Sequence, residues 1–315
     1  MNPCYSLRPL FLVALFTLSI MNAQESVVPA LETLLKYPKV RDFTMSISQD
    51  EAYITLQSPL EELSVIARLH KENDDWSAPA VVSFSGDHKD LEPFLSHDGL
   101  RLYFASNRPV NDSIKEAKDF NIWFVERADR KAAWSAPINI GAPINTEHNE
   151  FYPALATNGN LYFTSDAPNA KGKDDIFFSE WKNGHYGPPV SMSDSINTQG
   201  YEFNAYVAPD ESFLLFSGYN RKDGLGSGDM YISFRRTDNS WSTAKNLGDG
   251  INSKYMDYCP FMDMASKQLY FTSRRSALDA ERPKSIKAFE EAVNGYENGT
   301  SRIYMVSLKT LLSKQ

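Results

Sequence analysis

The sequence predicts an all-β chain: a single β-propeller, five blades of four antiparallel strands, with a short helical insertion in the last blade. Three observations carry that prediction. Three markers recur in one fixed order, two of them keep the same intervals, and each interval encloses apolar strands joined by turn signals. The first marker is an aromatic with small residues and Pro after it, at Trp76, Trp134, Tyr186 and Trp241. The second is a polar loop, "INTEHNE" from Ile144, "INTQGYE" from Ile196 and "INSKYMD" from Ile251. The third is an acid opening a strand: Glu92, Glu150, Glu202 and Asp257. The aromatics step by 58, 52 and 55 residues (76 to 134 to 186 to 241), and these acids step by the same amounts.

The units run approximately 38–90, 91–149, 150–201, 202–256 and 257–308. The first is degenerate, in "FTMSISQDEAYITLQS", "LSVIARL" and "WSAPAVV". In the second and third, Asp98-Gly99 and Asn158-Gly159 sit between two apolar runs, where a tight hairpin needs residues that tolerate positive φ. The fourth and fifth keep both strands with less ideal turns. Third strands follow as "NIWFVER", "DIFFSEW", "DMYISFR" and "RIYMVSL", and the fourth begins at the aromatic marker. The fifth unit lacks that marker. A propeller closes by pairing a strand from one terminus with the blade at the other. Residues 24–37 either supply this strand or, through "ALETLLKY", form a short helix packed on the barrel. Residues 276–301 depart from the repeat. There "KSIKAFEEAV" reads as an amphipathic helix starting near Pro283 or Ser285, with Ile286, Phe289 and Val293 on one side. It would be a lid or docking element over the site, or a plug for the channel. Residues 309–315 are a tail.

Composition is that of an ordinary globular protein: 42% hydrophobic, 23% charged, and rich in aromatics at 13%, which favours strands. The net charge of −8 argues against a nucleic-acid partner, since phosphate binding needs a clustered basic surface. The N-terminus places Arg8 before an apolar run, Leu10 to Met21, and small residues near Ala23. That order is a secretory signal over 1–23, too short to span a bilayer, which needs roughly 20 apolar residues. A periplasmic or secreted protein without stable membrane insertion is expected. Cys259 is then the one remaining cysteine, so no internal disulfide can form, and "YCPFM" buries it as a small hydrophobe.

The motifs "EPFLSHDGLRLYFASNR", "NEFYPALATNGNLYFTSD", "DIFFSEW" and "WSAPINIGAPINT" resemble the TolB-type, WD-like propeller repeats of bacterial envelope proteins. The resemblance spans most of the chain after residue 23 and implies the fold. It does not specify a function, because propellers host unrelated activities.

In such a blade the long second-to-third-strand connections share one face with the interblade loops, and long loops on a rigid scaffold carry binding sites. Glu92, Glu150, Glu202 and Asp257, with Arg108, Arg221 and Arg274 (or Arg275), are expected at the channel mouth on that face. They would either grip a polar ligand or pair with one another as a repeated structural device; repetition in each blade favours the device. Asp119, Asp175 and Asp229 could suggest calcium loops, yet neither "KGKDDIFF" nor "GSGDMYIS" has EF-hand spacing, so bonding to turn amides is the better reading. No zinc spacing occurs among His70, His88, His97, His148 and His185, and no GxSxG or phosphate loop occurs. No cofactor is expected, with calcium kept as the one alternative. The leading functional expectation is a secreted, non-catalytic propeller binding a glycan or an envelope protein. The alternative is a glycoside hydrolase or polysaccharide lyase working through Glu150 and Glu202, with His148 or Tyr206 in a lyase.

Overall fold

The computed structural model describes residues 26–73, 75–110 and 119–313; the expected signal segment lies outside them. The architecture is a five-bladed β-propeller. Its innermost strands are Lys39–Met45, Asp90–Leu95, Glu150–Leu155, Tyr201–Val207 and Asp257–Asp263. Each pairs antiparallel with a second strand, that with a third, and the third with a short outer strand. The Asp98-Gly99 and Asn158-Gly159 turns form as expected, both glycines at positive φ (72° and 91°). A side chain at Gly159 would also strike the Trp181 ring.

Closure uses the N-terminal segment in both ways the sequence left open. Val28–Pro29 pairs with Arg302–Ser307 as the outer strand of blade 5, and Glu32–Leu34 follows as one turn of 3-10 helix. The Val40 amide donates to Ser301 O at 3.0 Å, joining blade 1 to blade 5. The helical insertion spans Ile286–Val293, capped by Ser285, whose hydroxyl accepts from the Ala288 amide at 3.1 Å. Ile286 and Phe289 are exposed, so its apolar side is not a channel plug. No described helix is long and apolar enough to cross a membrane.

The aromatic marker does not open the fourth strand. Outer strands begin four residues later, at Ala80, Ile138, Val190 and Lys245. The aromatic itself reaches into the preceding blade and meets the Tyr of its second strand. Trp134 packs edge-on against Tyr53 and donates Nε1–H to its hydroxyl at 3.1 Å; Trp241 packs edge-on against Tyr162. The marker and the second-strand Tyr together bury two large rings at the boundary of blades 1 and 2 and again at that of blades 3 and 4.

Candidate functional site

The polar "INT/INS" loops form a repeated clamp. Their Asn side chains continue the pairing of the short outer strand, each accepting from and donating to one third-strand residue: Asn145 with Ile122, Asn197 with Ile176, Asn252 with Met230. The next residue holds an acid. The Thr146, Thr198 and Ser253 amides donate to Glu150, Glu202 and Asp257, at 3.2, 2.7 and 2.6 Å, and their hydroxyls donate as well.

In three blades an arginine completes the clamp. Arg108 meets Asp90 at 2.6 Å, Arg221 meets Glu202 at 3.0 Å and Arg275 meets Asp257 at 2.9 Å. Each also donates to a loop carbonyl, of Phe84, Ile196 and Ile251. Each lies over two rings of its own blade, Arg221 for example over Tyr231 at 4.4 Å and Phe216 at 5.7 Å. Two corrections follow. The acid of this series in blade 2 is Asp90, not Glu92, because Asp90 faces Ser106 as Glu150 faces Ser165. The arginine in blade 5 is Arg275; Arg274 instead approaches Glu61 at 3.6 Å. These carboxylates are buried against their loops and do not form an open ring around the channel mouth. Asp175 and Asp229 likewise accept from loop amides, of Lys171, Gly172, Leu225 and Gly226.

Glu202 has its carboxyl raised by burial, against the pull of Thr198 and Arg221. Among the described residues Glu150 has no arginine partner: Ala167 occupies the position two beyond Ser165 where Arg108 follows Ser106 and Arg275 follows Ser273. Burial, with the nearby charges of Asp119 and Asp166, pushes Glu150 up to about 7 although Thr146 donates to it twice. His148 is part-exposed beside it, its amide bonded to Thr146.

The axis is built by residues two positions further along. In all five innermost strands the register slips at a bulge, and the residue there has positive φ: Asp42, Glu92, Tyr152, Asn204 and Cys259, between 48° and 60°. Left-handed backbone in non-glycine residues costs about 1–3 kcal/mol each, so the surroundings must impose it. They do so through amide bonds to the preceding blade: Asp42 N to Thr272, Glu92 N to Thr55, Asn204 N to Thr164. Blade 2 has Ala105 in that position, and the Tyr152 amide donates to Glu92 Oε2 instead, at 2.8 Å.

Here two carboxylates share one guanidinium. Arg41 donates Nε–H to Asp42 at 3.0 Å and Nη2–H to Glu92 at 2.9 Å, and lies 3.5 Å from Cys259 Sγ. Asn204 Nδ2 donates to Glu92 Oε1 at 3.3 Å. Burial pushes Glu92 up to about 7, Arg41 opposes it, and Asp42 adds to the rise. Burial likewise raises the Cys259 thiol, so it is not a ready nucleophile. Above this group, towards the long loops, lie Phe151 and Phe203, both part-exposed, and Tyr258, which Arg41 and Arg274 approach at 5.3 and 5.6 Å. The sequence named Glu92 for this mouth but missed Asp42, Arg41 and Asn204. The available signal was the residue two beyond each strand-opening position, hidden by taking Glu92 as one of the openers.

At the opposite, tight-turn end all five blades line an apolar chamber of about 270 Å³, with Phe94, Tyr206, Phe261 and Met262 among its walls. Tyr206 belongs to this end, its hydroxyl donating to Met262 O at 3.0 Å. It cannot join Glu202 as a catalytic partner, because it lies past the bulge of the same strand, at the far end of the channel.

No protein-family model and no curated protein matches the chain. Solved structures do. An endo-arabinase from Bacteroides thetaiotaomicron superposes with a TM-score of 0.50 at 13% identity, covering 89% of this chain and 96% of its own. A GH62 hydrolase in complex with xylotriose gives 0.50 at 10% identity, covering 90% and 96%. A glycoside hydrolase gives 0.50 at 9% identity, covering 85% and 86%. At such identities the likeness establishes the five-bladed fold. It also corrects two expectations: these neighbours are glycoside hydrolases rather than TolB-type envelope proteins, and they favour the carbohydrate-active alternative over a non-catalytic binding module.

Proposed function

We propose that the chain is a glycoside hydrolase acting on a glycan at the loop-face mouth of the propeller axis. The observation that carries this reading is the pair Asp42 and Glu92, two carboxylates from adjacent blades bridged by Arg41 beneath part-exposed aromatic side chains. Glycosidic cleavage needs one carboxyl that holds a proton at working pH and one that does not. Glu92, pushed up to about 7, suits the acid. Asp42, fixed by Arg41 Nε–H and by the Glu92 amide at 3.1 Å, is the second carboxyl of the pair. Arg41 is the member of the group that reaches the mouth, its side chain 14% exposed. It would orient a sugar hydroxyl while holding the two carboxyls in register. The aromatic side chains offer apolar faces for sugar rings. The leader-like N-terminus supports action outside the cytoplasm.

The test is hydrolysis of a panel of plant and microbial polysaccharides by wild type, Glu92→Gln and Asp42→Asn. A general acid contributes about 10²- to 10⁴-fold, so each substitution should lower turnover by that order in protein that circular dichroism shows to be folded at the assay temperature. Wild-type turnover unchanged in both variants sinks the assignment.

A further inference from the structure

Two arginines of the described residues are almost wholly buried, Arg127 and Arg302, at 7% and 4% exposed. Arg127 donates twice to Glu51, at 3.0 and 2.7 Å. Arg302 has no carboxylate partner among the described residues. Its Nη1 donates to the carbonyls of Tyr37 and Pro38, at 2.9 and 3.0 Å, and more weakly to Ser301. Its Nη2 makes one long bond, 3.4 Å, to Leu35 O, and its Nε–H has no partner. A buried cation without a counter-charge is costly, and carbonyl oxygens repay only part of that cost. Burial accordingly lowers the Arg302 pKa.

Arg302 lines a cavity of about 670 Å³ between the N-terminal 3-10 turn, blade 1 and the second-to-third-strand connection of blade 5. Its lining carries three cations, Arg302, Lys36 and Lys39, and no acid, in a protein whose net charge is −8. Lys36 is exposed; Lys39 is held by Glu61 at 2.7 Å. Asn294, Asn298 and Thr300 supply the polar remainder of the wall. The cavity adjoins the axial mouth, because Lys39 and Arg41 are alternate residues of one strand, about 7 Å apart.

We propose that this cavity is an anionic subsite of the glycan site: it receives a carboxylate or sulfate ester of an acidic glycan, held by Arg302, Lys36 and Lys39. The inference rests on the reading of the axial mouth as a glycan site and names its substrate class. A buried guanidinium whose bonds go only to carbonyls, with two lysines in the same lining, suits an oxyanion better than a neutral hydroxyl.

Calorimetric titration of the full chain with three oligosaccharides of one length tests it: an oligouronate, its carboxyl-reduced neutral counterpart, and that neutral oligomer carrying sulfate esters. At least one charged probe should bind about tenfold tighter than the neutral one, a difference of about 1.4 kcal/mol. Whichever of the two does so identifies the anion. Lys36→Glu, at an exposed position that leaves the fold intact, should erase the preference without changing neutral binding. Equal affinity for all three probes overturns the inference, as does a preference that Lys36→Glu leaves unchanged. Free glucuronate and inorganic sulfate, titrated against the same two proteins, separate this from the hydrolase reading. If both bind through Lys36 while no oligosaccharide binds, the pocket lies outside a glycan path and the subsite is overturned. If the charged preference holds but Glu92→Gln and Asp42→Asn leave turnover untouched, the hydrolase assignment falls and the subsite stands.

Discussion

Blades 3 and 4 share one loop motif, one acid and one pair of threonine bonds, and differ by an arginine. Glu202 is held by Thr198 and by Arg221, which also reaches the Ile196 carbonyl and covers two rings. Among the described residues Glu150 is held by Thr146 alone, and the two phenylalanines of its blade, Phe163 and Phe177, stack on each other with none of the described cations above them. The same buried position therefore exists with and without its counter-charge. The loop is what keeps the acid in place; the arginine of blade 4 works against the rise that burial imposes on its acid. Neither acid's hydrogen bonds reach the axial group, so both differ in kind from Glu92, which shares Arg41 with Asp42.

Substitutions can separate these three kinds of carboxyl. The largest effect on function belongs to the axis: Glu92→Gln and Asp42→Asn should remove about two to four orders of magnitude of turnover, whereas Glu150→Gln and Glu202→Gln should leave turnover of the folded enzyme within a few-fold. A loss of turnover confined to Glu150→Gln would move the catalytic assignment to blade 3.

Glu202→Gln should have the largest effect on stability. It leaves Arg221 buried against aromatic rings without its carboxylate, and breaking a buried pair from one side costs about 3–5 kcal/mol. Chemical denaturation of wild type and variant measures it. A loss below about 1 kcal/mol would mean that the Ile196 carbonyl and the rings suffice for Arg221.

Glu150 should show itself in the pH dependence of stability. Its carboxyl is raised in the folded chain, from 4.5 to about 7, so the native state binds the extra proton over that interval. Stability is fully present below about pH 4.5 and falls as pH rises through about 7, by about 3 kcal/mol or slightly more for this group. Glu92 slopes in the same direction, so the diagnostic quantity is the difference between wild type and Glu150→Gln, which should grow between pH 5 and pH 8 in favour of the variant. A difference independent of pH would show that Glu150 is ionised throughout.

The smallest change is the most direct comparison. Ala167→Arg puts into blade 3 the side chain its sister blades carry, over Phe163 and Phe177. It should bring the Glu150 carboxyl back down, flatten the pH profile and leave net stability at pH 8 higher by about 1 kcal/mol. A clash with the core around Ala167, seen as loss of stability at all pH values, would show that blade 3 has repacked to do without the cation.

The fold was legible because its causes are local and repeated. "DG" and "NG" at 98–99 and 158–159 impose hairpins by their own backbone freedom, and the aromatic markers Trp134 and Trp241 each pack on a second-strand Tyr of the preceding blade. The "INT" loop and its acid could be read as a structural device for the same reason: they recur. The site was not legible, because its members do not repeat. Asp42, Glu92, Tyr152, Asn204 and Cys259 occupy equivalent bulges, yet five different side chains stand there, so no periodicity marks them. The sequence by itself determined five blades, their strands, their turns and the clamps between them, since each rests on contacts within a blade or with its neighbour. Tertiary structure alone decided what meets at the axis. Closure by Val28–Pro29 completes blade 5, which meets blade 1 at Arg302, and the five bulges aim residues from 42 to 259 at one point, where one arginine can hold two carboxylates.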